Sequence, residues 1–135
     1  MRSRNVKRRV IQLVAVLSIL GLFGPMAEAH VADFSTSLTL KVDDSKIRKG
    51  HYVTFISKLS SSKTKCYANR SVSLYKNGNF MSKKRTDPTG KVQFSRRVFT
   101  TSDWRTKFLG FTFGTHPHRH TCLKSTSNKV TVTVN

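Results

Sequence analysis

Apolar and polar residues alternate with a period of two along most of the chain beyond residue 34. Over residues 34–42, Leu38, Leu40 and Val42 fall on one side and Ser37, Thr39 and Lys41 on the other, the pattern of a strand with one buried face. Asp43-Asp44-Ser45 reads as a turn, Ile47 is an isolated apolar residue, and Lys49-Gly50 makes a second turn. Residues 52–59 predict the next strand, with Val53, Phe55 and Leu59 inward. A polar loop over residues 60–65 leads to Cys66, after which Val72 and Leu74 alternate with Ser71, Ser73 and Tyr75. Asn77-Gly78 then predicts a two-residue hairpin, because both residues tolerate positive φ. The returning segment, residues 80–86, is charged and alternates poorly, which suits an edge strand guarded by Lys83, Lys84 and Arg85.

Asp87-Pro88-Thr89-Gly90 has the chemistry of a β-turn with proline at its second position. Val92, Phe94 and Val98 alternate through residues 91–99, and Trp104, Thr106 and Phe108 share one face of a strand that runs to Gly110. Trp104 is the expected core aromatic. Residues 111–121 fit no single pattern, whereas residues 129–134 give the cleanest alternation in the chain. No helical period extends over ten residues. Seven or so short strands with turns every 8–12 residues predict an all-β antiparallel sandwich, with a small barrel as the structural alternative.

The amino terminus follows a different rule. Arg2, Arg4, Lys7, Arg8 and Arg9 precede a nearly unbroken apolar run over residues 10–23, Gly24-Pro25 breaks it, and Ala27-Glu28-Ala29 places small residues at a cleavage site. This order predicts a secretory signal peptide over residues 1–29, cut before His30, and a single domain over residues 30–135. The apolar run would span roughly 21 Å as a helix, short of a hydrocarbon core of about 30 Å, so no membrane span is expected after cleavage. Export implies an oxidising compartment, in which Cys66 and Cys122, the only two cysteines, are expected to pair. Closing so long a loop would stabilise a small domain by on the order of 4 kcal/mol.

The order of motifs carries a resemblance. Ser37-Leu38-Thr39-Leu40, Gly50 before an aromatic strand, Cys66 through Tyr75-Lys76-Asn77-Gly78, Thr86-Asp87-Pro88-Thr89-Gly90, Trp104 through Gly110, and Ser127-Asn128 before the last strand follow one another over nearly the whole mature chain. This resembles the immunoglobulin-like domains of secreted and surface proteins of high-GC Gram-positive bacteria. The resemblance implies an immunoglobulin-like β-sandwich of about seven strands, serving as a spacer or binding module. It departs from the antibody pattern in its cysteines: Cys66 and Cys122 both lie in predicted loops, so the bridge should staple loops rather than cross the core.

Charge is the broadest chemical feature. The whole chain has 25 Lys plus Arg against 6 Asp plus Glu, a net +19, and residues 30–135 retain +15 with 5 Asp and no Glu. The five aspartates, Asp33, Asp43, Asp44, Asp87 and Asp103, fall at predicted turns or strand ends, where short acceptors hold backbone amides. With no nucleophile motif and no favoured carboxylate pair, the inventory predicts a protein that is not an enzyme and needs no cofactor. A surface of this charge attracts polyanions, and outside a bacterium these are teichoic acids, anionic lipid headgroups, extracellular DNA and acidic polysaccharides. The candidate binding residues are Lys83, Lys84, Arg85, Arg96, Arg97, Arg105 and Lys107. Anionic cell-envelope polymers are the expected partners of a secreted or cell-wall-associated protein. Sequence-specific nucleic-acid binding is not expected, since no helix is available to enter a groove. The alternative is a secreted metal-binding sandwich, because alternate histidines in His116-Pro117-His118-Arg119-His120 would converge if the segment were extended, with His30 as a further ligand for copper or zinc.

Overall fold

The computed structural model describes residues 29–135. The signal-peptide reading of residues 1–29 therefore lies, save for Ala29, outside the described residues. Within them the chain forms β1 (Ala32–Phe34), β2 (Thr36–Val42), β3 (Lys46–Ile47), β4 (His51–Ser61), α1 (Thr64–Tyr67), β5 (Ser71–Lys76), β6 (Asn79–Arg85), β7 (Lys91–Val98), β8 (Ser102–Phe108), β9 (Phe111–Phe113), β10 (His120–Cys122), β11 (Ser125–Thr126) and β12 (Val130–Val134). No helix here is long and apolar enough to cross a membrane.

One sheet has the order β2-β4-β7, and a second has the order β3-β12-β8-β5-β6 with β11 also paired to β8. The two are immunoglobulin-like sheets packed face to face. Neighbours are antiparallel apart from β3, which runs parallel to β12. The inward residues are those the alternation selects: Val53, Phe55 and Leu59 from β4, Val72 and Leu74 from β5, Val92, Phe94 and Val98 from β7, Trp104 and Phe108 from β8, and Val132 from β12 are all buried. Across the sheets the rings of Phe55 and Trp104 lie 4.4 Å apart between centroids. Thr106 shares this inward face, and its hydroxyl is satisfied at 2.7 Å by the hydroxyl of Ser57 from the opposite sheet, so a polar side chain enters the core without losing its partner.

The turns follow local chemistry. Asn77 and Gly78 both have positive φ, 48° and 81°, as a two-residue hairpin with the twist of its strands requires. The Asp87 turn closes through the Gly90 N–H on the Asp87 carbonyl at 3.0 Å. Gly90 sits at φ 87°, and a Cβ there would collide with the Leu59 carbonyl oxygen. β6 stands at the edge of its sheet, as its three consecutive cations predict.

Several expectations are refined. The single strand expected over residues 34–42 is two, because β1 leaves the sandwich to join a third sheet of order β1-β10-β9. Ile47 is not isolated: it is buried in β3, paired with Val134. The loop expected over residues 60–65 starts as the end of β4 and closes as the first turn of α1. Residues 111–121 form the β9-β10 arm, inserted between β8 and β12. Cys66 and Cys122 lie in α1 and β10 rather than in the loops expected, joined by a disulfide and fully buried within the core cluster, so the bridge ties this arm to the connection between β4 and β5.

Candidate functional site

β5, β6 and β8 each turn alternate residues outward. On β8, Trp104, Thr106 and Phe108 are buried, which leaves Asp103, Arg105 and Lys107 on the outer face. On β5, Val72 and Leu74 point inward, and Tyr75 lies outward. Pairing then composes two rows across the sheet. Lys83 of β6, Ser73 of β5, Lys107 of β8 and Thr126 of β11 lie in register. Phe80, Tyr75 and Arg105 form the second row, the first pair brought together by a bulge between Leu74 and Tyr75. The Tyr75 and Phe80 rings meet edge to face at 6.0 Å, and the Lys107 ammonium lies 4.7 Å from the centre of the Tyr75 ring.

This face is hollowed by two adjoining grooves. One, of ≈520 Å³, is lined by Tyr75, Asn77, Asp103, Arg105, Lys107 and Thr126 among others. The second, of ≈270 Å³, is lined by Arg70, Ser73, Lys83, Arg85 and Phe111 among others. Asn77 anchors the far end: its N–H donates to the Asp103 carbonyl at 2.8 Å, and its side-chain oxygen accepts the Asp103 N–H at 2.9 Å. Asp103 is the sole acid lining either groove. It is already engaged by the Thr131 hydroxyl at 2.6 Å and by Lys129 at 3.9 Å, the one ion pair among the described residues. The Arg70 guanidinium lies 3.6 Å from the centre of the Phe111 ring. Burial, and then the charge of Arg85, hold it below the ordinary arginine range, although it remains a cation at any physiological pH.

The seven candidate cations divide three ways. Lys83, Arg85, Arg105 and Lys107 share this grooved face, where one guanidinium nitrogen of Arg85 donates to the Asn69 carbonyl at 3.1 Å. Lys84 and Arg96 meet at the seam between β6 and β7, where Lys84 donates to the Gln93 carbonyl at 3.1 Å and Arg96 to the Met81 carbonyl at 2.6 Å. Arg97 lies on the outer face of the other sheet, over the Tyr52 ring at 4.9 Å. Tyr75 and Arg70 were missed as site residues. The alternation of β5 already marked Tyr75 as outward, but nothing in its own segment shows that β8 and β6 would flank it.

The histidine cluster does not assemble as expected. Convergence of His116, His118 and His120 needs an extended segment, whereas residues 115–118 turn, closed by the His118 N–H on the Thr115 carbonyl at 2.7 Å. His120 is drawn into the arm, its ring 5.8 Å from Phe34 and 5.2 Å from Phe113, with Nδ1 buried and without a protein partner. Among the described residues no three His, Cys, Asp or Glu side chains form a metal-holding group.

No family model matches the chain, and no curated protein matches it. Among solved structures it is distantly similar to a superoxide reductase (neelaredoxin) from Ignicoccus hospitalis, with a TM-score of 0.44 and 10% identity over 72% of this chain and 80% of that one. The sulfur carrier protein SoxY from Chlorobium limicola gives a TM-score of 0.37 and 12% identity over 73% and 84% of the two chains. A CARDB domain from Pyrococcus furiosus, solved in complex with di-metal ions, gives 0.37 and 8% identity over 70% and 92%.

Proposed function

We propose that this is an exported, non-catalytic binding module that holds anionic polymers of the cell envelope against the outer face of β6, β5 and β8. The observation that carries this reading is the alignment of Lys83, Arg85, Arg105 and Lys107 along two grooves whose single acid is already engaged. Cations without counter-charges in a concave surface with low-dielectric walls concentrate anions there. Arginine adds bidentate recognition of phosphate or carboxylate groups. Arg70 and Arg85 line the smaller groove together and repel one another, and an anion seated between them would relieve that repulsion. Along β8, Arg105 and Lys107 are spaced by about 7 Å, two residues of extended chain, so a flexible polyanion can meet successive cations without bending sharply.

The outer face of the other sheet supplies a matched control, because Lys41, Lys58, Lys91 and Arg97 are equal in number and exposed there. Changing either set to glutamine removes four charges. Calorimetry with purified teichoic acid is expected to show binding lost with the Lys83, Arg85, Arg105 and Lys107 set and retained with the other. If four contacts release counterions at about 0.7 per contact, the parent affinity falls about 50-fold between 50 and 200 mM salt. Equal losses from both sets would reduce the interaction to net charge and overturn the assignment to this face.

A further inference from the structure

The larger groove holds groups that a ligand made of charge alone does not need. The outward residues of β8 that line it change in character along the strand, from Asp103 through Arg105 to Lys107. Register sets Tyr75 opposite Arg105 and Thr126 opposite Lys107, while the two hydrogen bonds between Asn77 and Asp103 close the other end. One end of the groove is therefore cationic, and the other carries an amide and a carboxylate. A carboxylate there opposes a bare polyanion.

That end keeps hydrogen-bonding capacity. The Asn77 side-chain oxygen is committed to the Asp103 N–H, which fixes the orientation of the amide and leaves its NH2 to donate. Of the Asp103 oxygens, Oδ1 accepts the Thr131 hydroxyl, whereas Oδ2 stands 3.9 Å from Lys129, close enough to balance charge and too far for a hydrogen bond. The Asp103 side chain is 47% exposed. A carboxylate acceptor beside an amide donor suits hydroxyl groups, each of which both donates and accepts. Tyr75 adds an aromatic wall, and Phe80, 58% exposed, meets it edge to face at 6.0 Å and extends that surface. Polarised C–H groups of a sugar ring are attracted to the negative face of such rings. The Lys107 ammonium, 4.7 Å from the Tyr75 ring centre, brings a cation to the same wall. Bases of a single-stranded nucleic acid also stack on aromatic rings, but its phosphates would meet Asp103 as a like charge.

We propose that the polymer held on this face is an anionic glycan, with a pyranose ring against Tyr75 and Phe80, its hydroxyls at Asn77 and Asp103, and its acidic group at Arg105 and Lys107. The acidic group is a carboxylate on the ring or a phosphate beside it. This inference rests on the reading of the face as an anion-binding surface and names the class of polymer it takes.

The protein is titrated by calorimetry, at one low salt concentration, with a glycosylated teichoic acid, the same polymer stripped of its sugars, a polyuronate and single-stranded DNA. A sugar-bearing polymer is expected to bind about tenfold or more tightly than the stripped backbone, the worth of one hydrogen bond to a charged group. Whichever of the two sugar-bearing polymers binds more tightly shows whether the acidic group is the phosphate or the carboxylate. Asp103→Asn separates sugar from charge by sign. It removes a negative charge, keeps an oxygen for the Thr131 hydroxyl and exchanges the other for a donor, so the stripped backbone should bind more tightly and the sugar-bearing polymer less. Tyr75→Leu should weaken the sugar-bearing polymer alone, with the circular dichroism of the fold unchanged. A stripped backbone that binds as tightly as both sugar-bearing polymers, an Asp103→Asn change that strengthens every polymer, or tightest binding to the DNA overturns this inference and leaves the anion-binding face standing. Binding to none of the four overturns that underlying reading as well.

Discussion

Trp104 is the largest fully buried side chain among the described residues. It is 1% exposed, its ring lies against Phe55, and its indole N–H donates to the Ser102 hydroxyl at 2.9 Å. Trp104→Ala opens a cavity between the sheets and is expected to cost about 3–5 kcal/mol in urea unfolding. Trp104→Phe should cost less, since a ring remains against Phe55. Asp87 acts through its turn instead. One carboxylate oxygen accepts the Thr89 N–H at 2.8 Å, the Thr89 hydroxyl at 2.6 Å and the Lys91 N–H at 3.0 Å. The Thr89 hydroxyl first, then the Lys91 amide, hold its pKa below the ordinary carboxylate value. With the folded pKa below the unfolded one, this stabilisation is complete above about pH 4 and is lost as the pH falls through the lower folded value. Asp87→Ala should therefore flatten the decline of thermal stability below about pH 4. An acid limb that superimposes on the parent's contradicts this. Both residues are legible in the sequence, Trp104 from the face it shares with Thr106 and Phe108, Asp87 from its turn. Lys84 and Arg96 are not: they read as free surface charge, and only the meeting of β6 with β7 shows that each is spent on a main-chain carbonyl.

Strand existence follows from period two wherever the run is long, as in β2, β4, β7, β8 and β12. β3 escapes that reading because two residues hold no period, and its place comes from a partner, β12, more than eighty residues away. The β9-β10 arm escapes it for another reason: its strands are short, and Phe111 and Phe113 pack against the main core while staying only partly buried, each also meeting a cation, Arg70 at 3.6 Å from the Phe111 ring centre and Lys65 at 5.2 Å from the Phe113 ring centre. The arm has little core of its own, so the Cys66–Cys122 bridge matters most there. Its loop, a sequence separation of 56, corresponds to about 4 kcal/mol in the chain-entropy account. Replacing both cysteines with alanine should lower stability by roughly 2–4 kcal/mol. Hydrogen exchange should accelerate in β1, β9 and β10 before it does in β4 or β8. Uniform acceleration across both sheets would contradict a bridge that serves mainly to hold the arm.

For the molecule as a whole, charge and fold answer different questions. The sandwich is specified by the apolar positions and would tolerate many surfaces, whereas a net +15 over residues 30–135 constrains what the surface meets. The sequence shows how many cations there are. The folded chain sorts the seven candidates, putting four on the grooved face, two at the seam between β6 and β7 and one on the outer face of the other sheet, because facing depends on pairings between distant strands. That sorting is the basis of the proposed binding face. The most direct test is co-sedimentation of the protein with purified cell-wall sacculi, before and after their anionic polymers are stripped, across a salt series. The account predicts pelleting that requires the anionic polymers, fades with salt and is abolished by glutamine at Lys83, Arg85, Arg105 and Lys107. Pelleting that survives stripping, or none at low salt with intact sacculi, would contradict it.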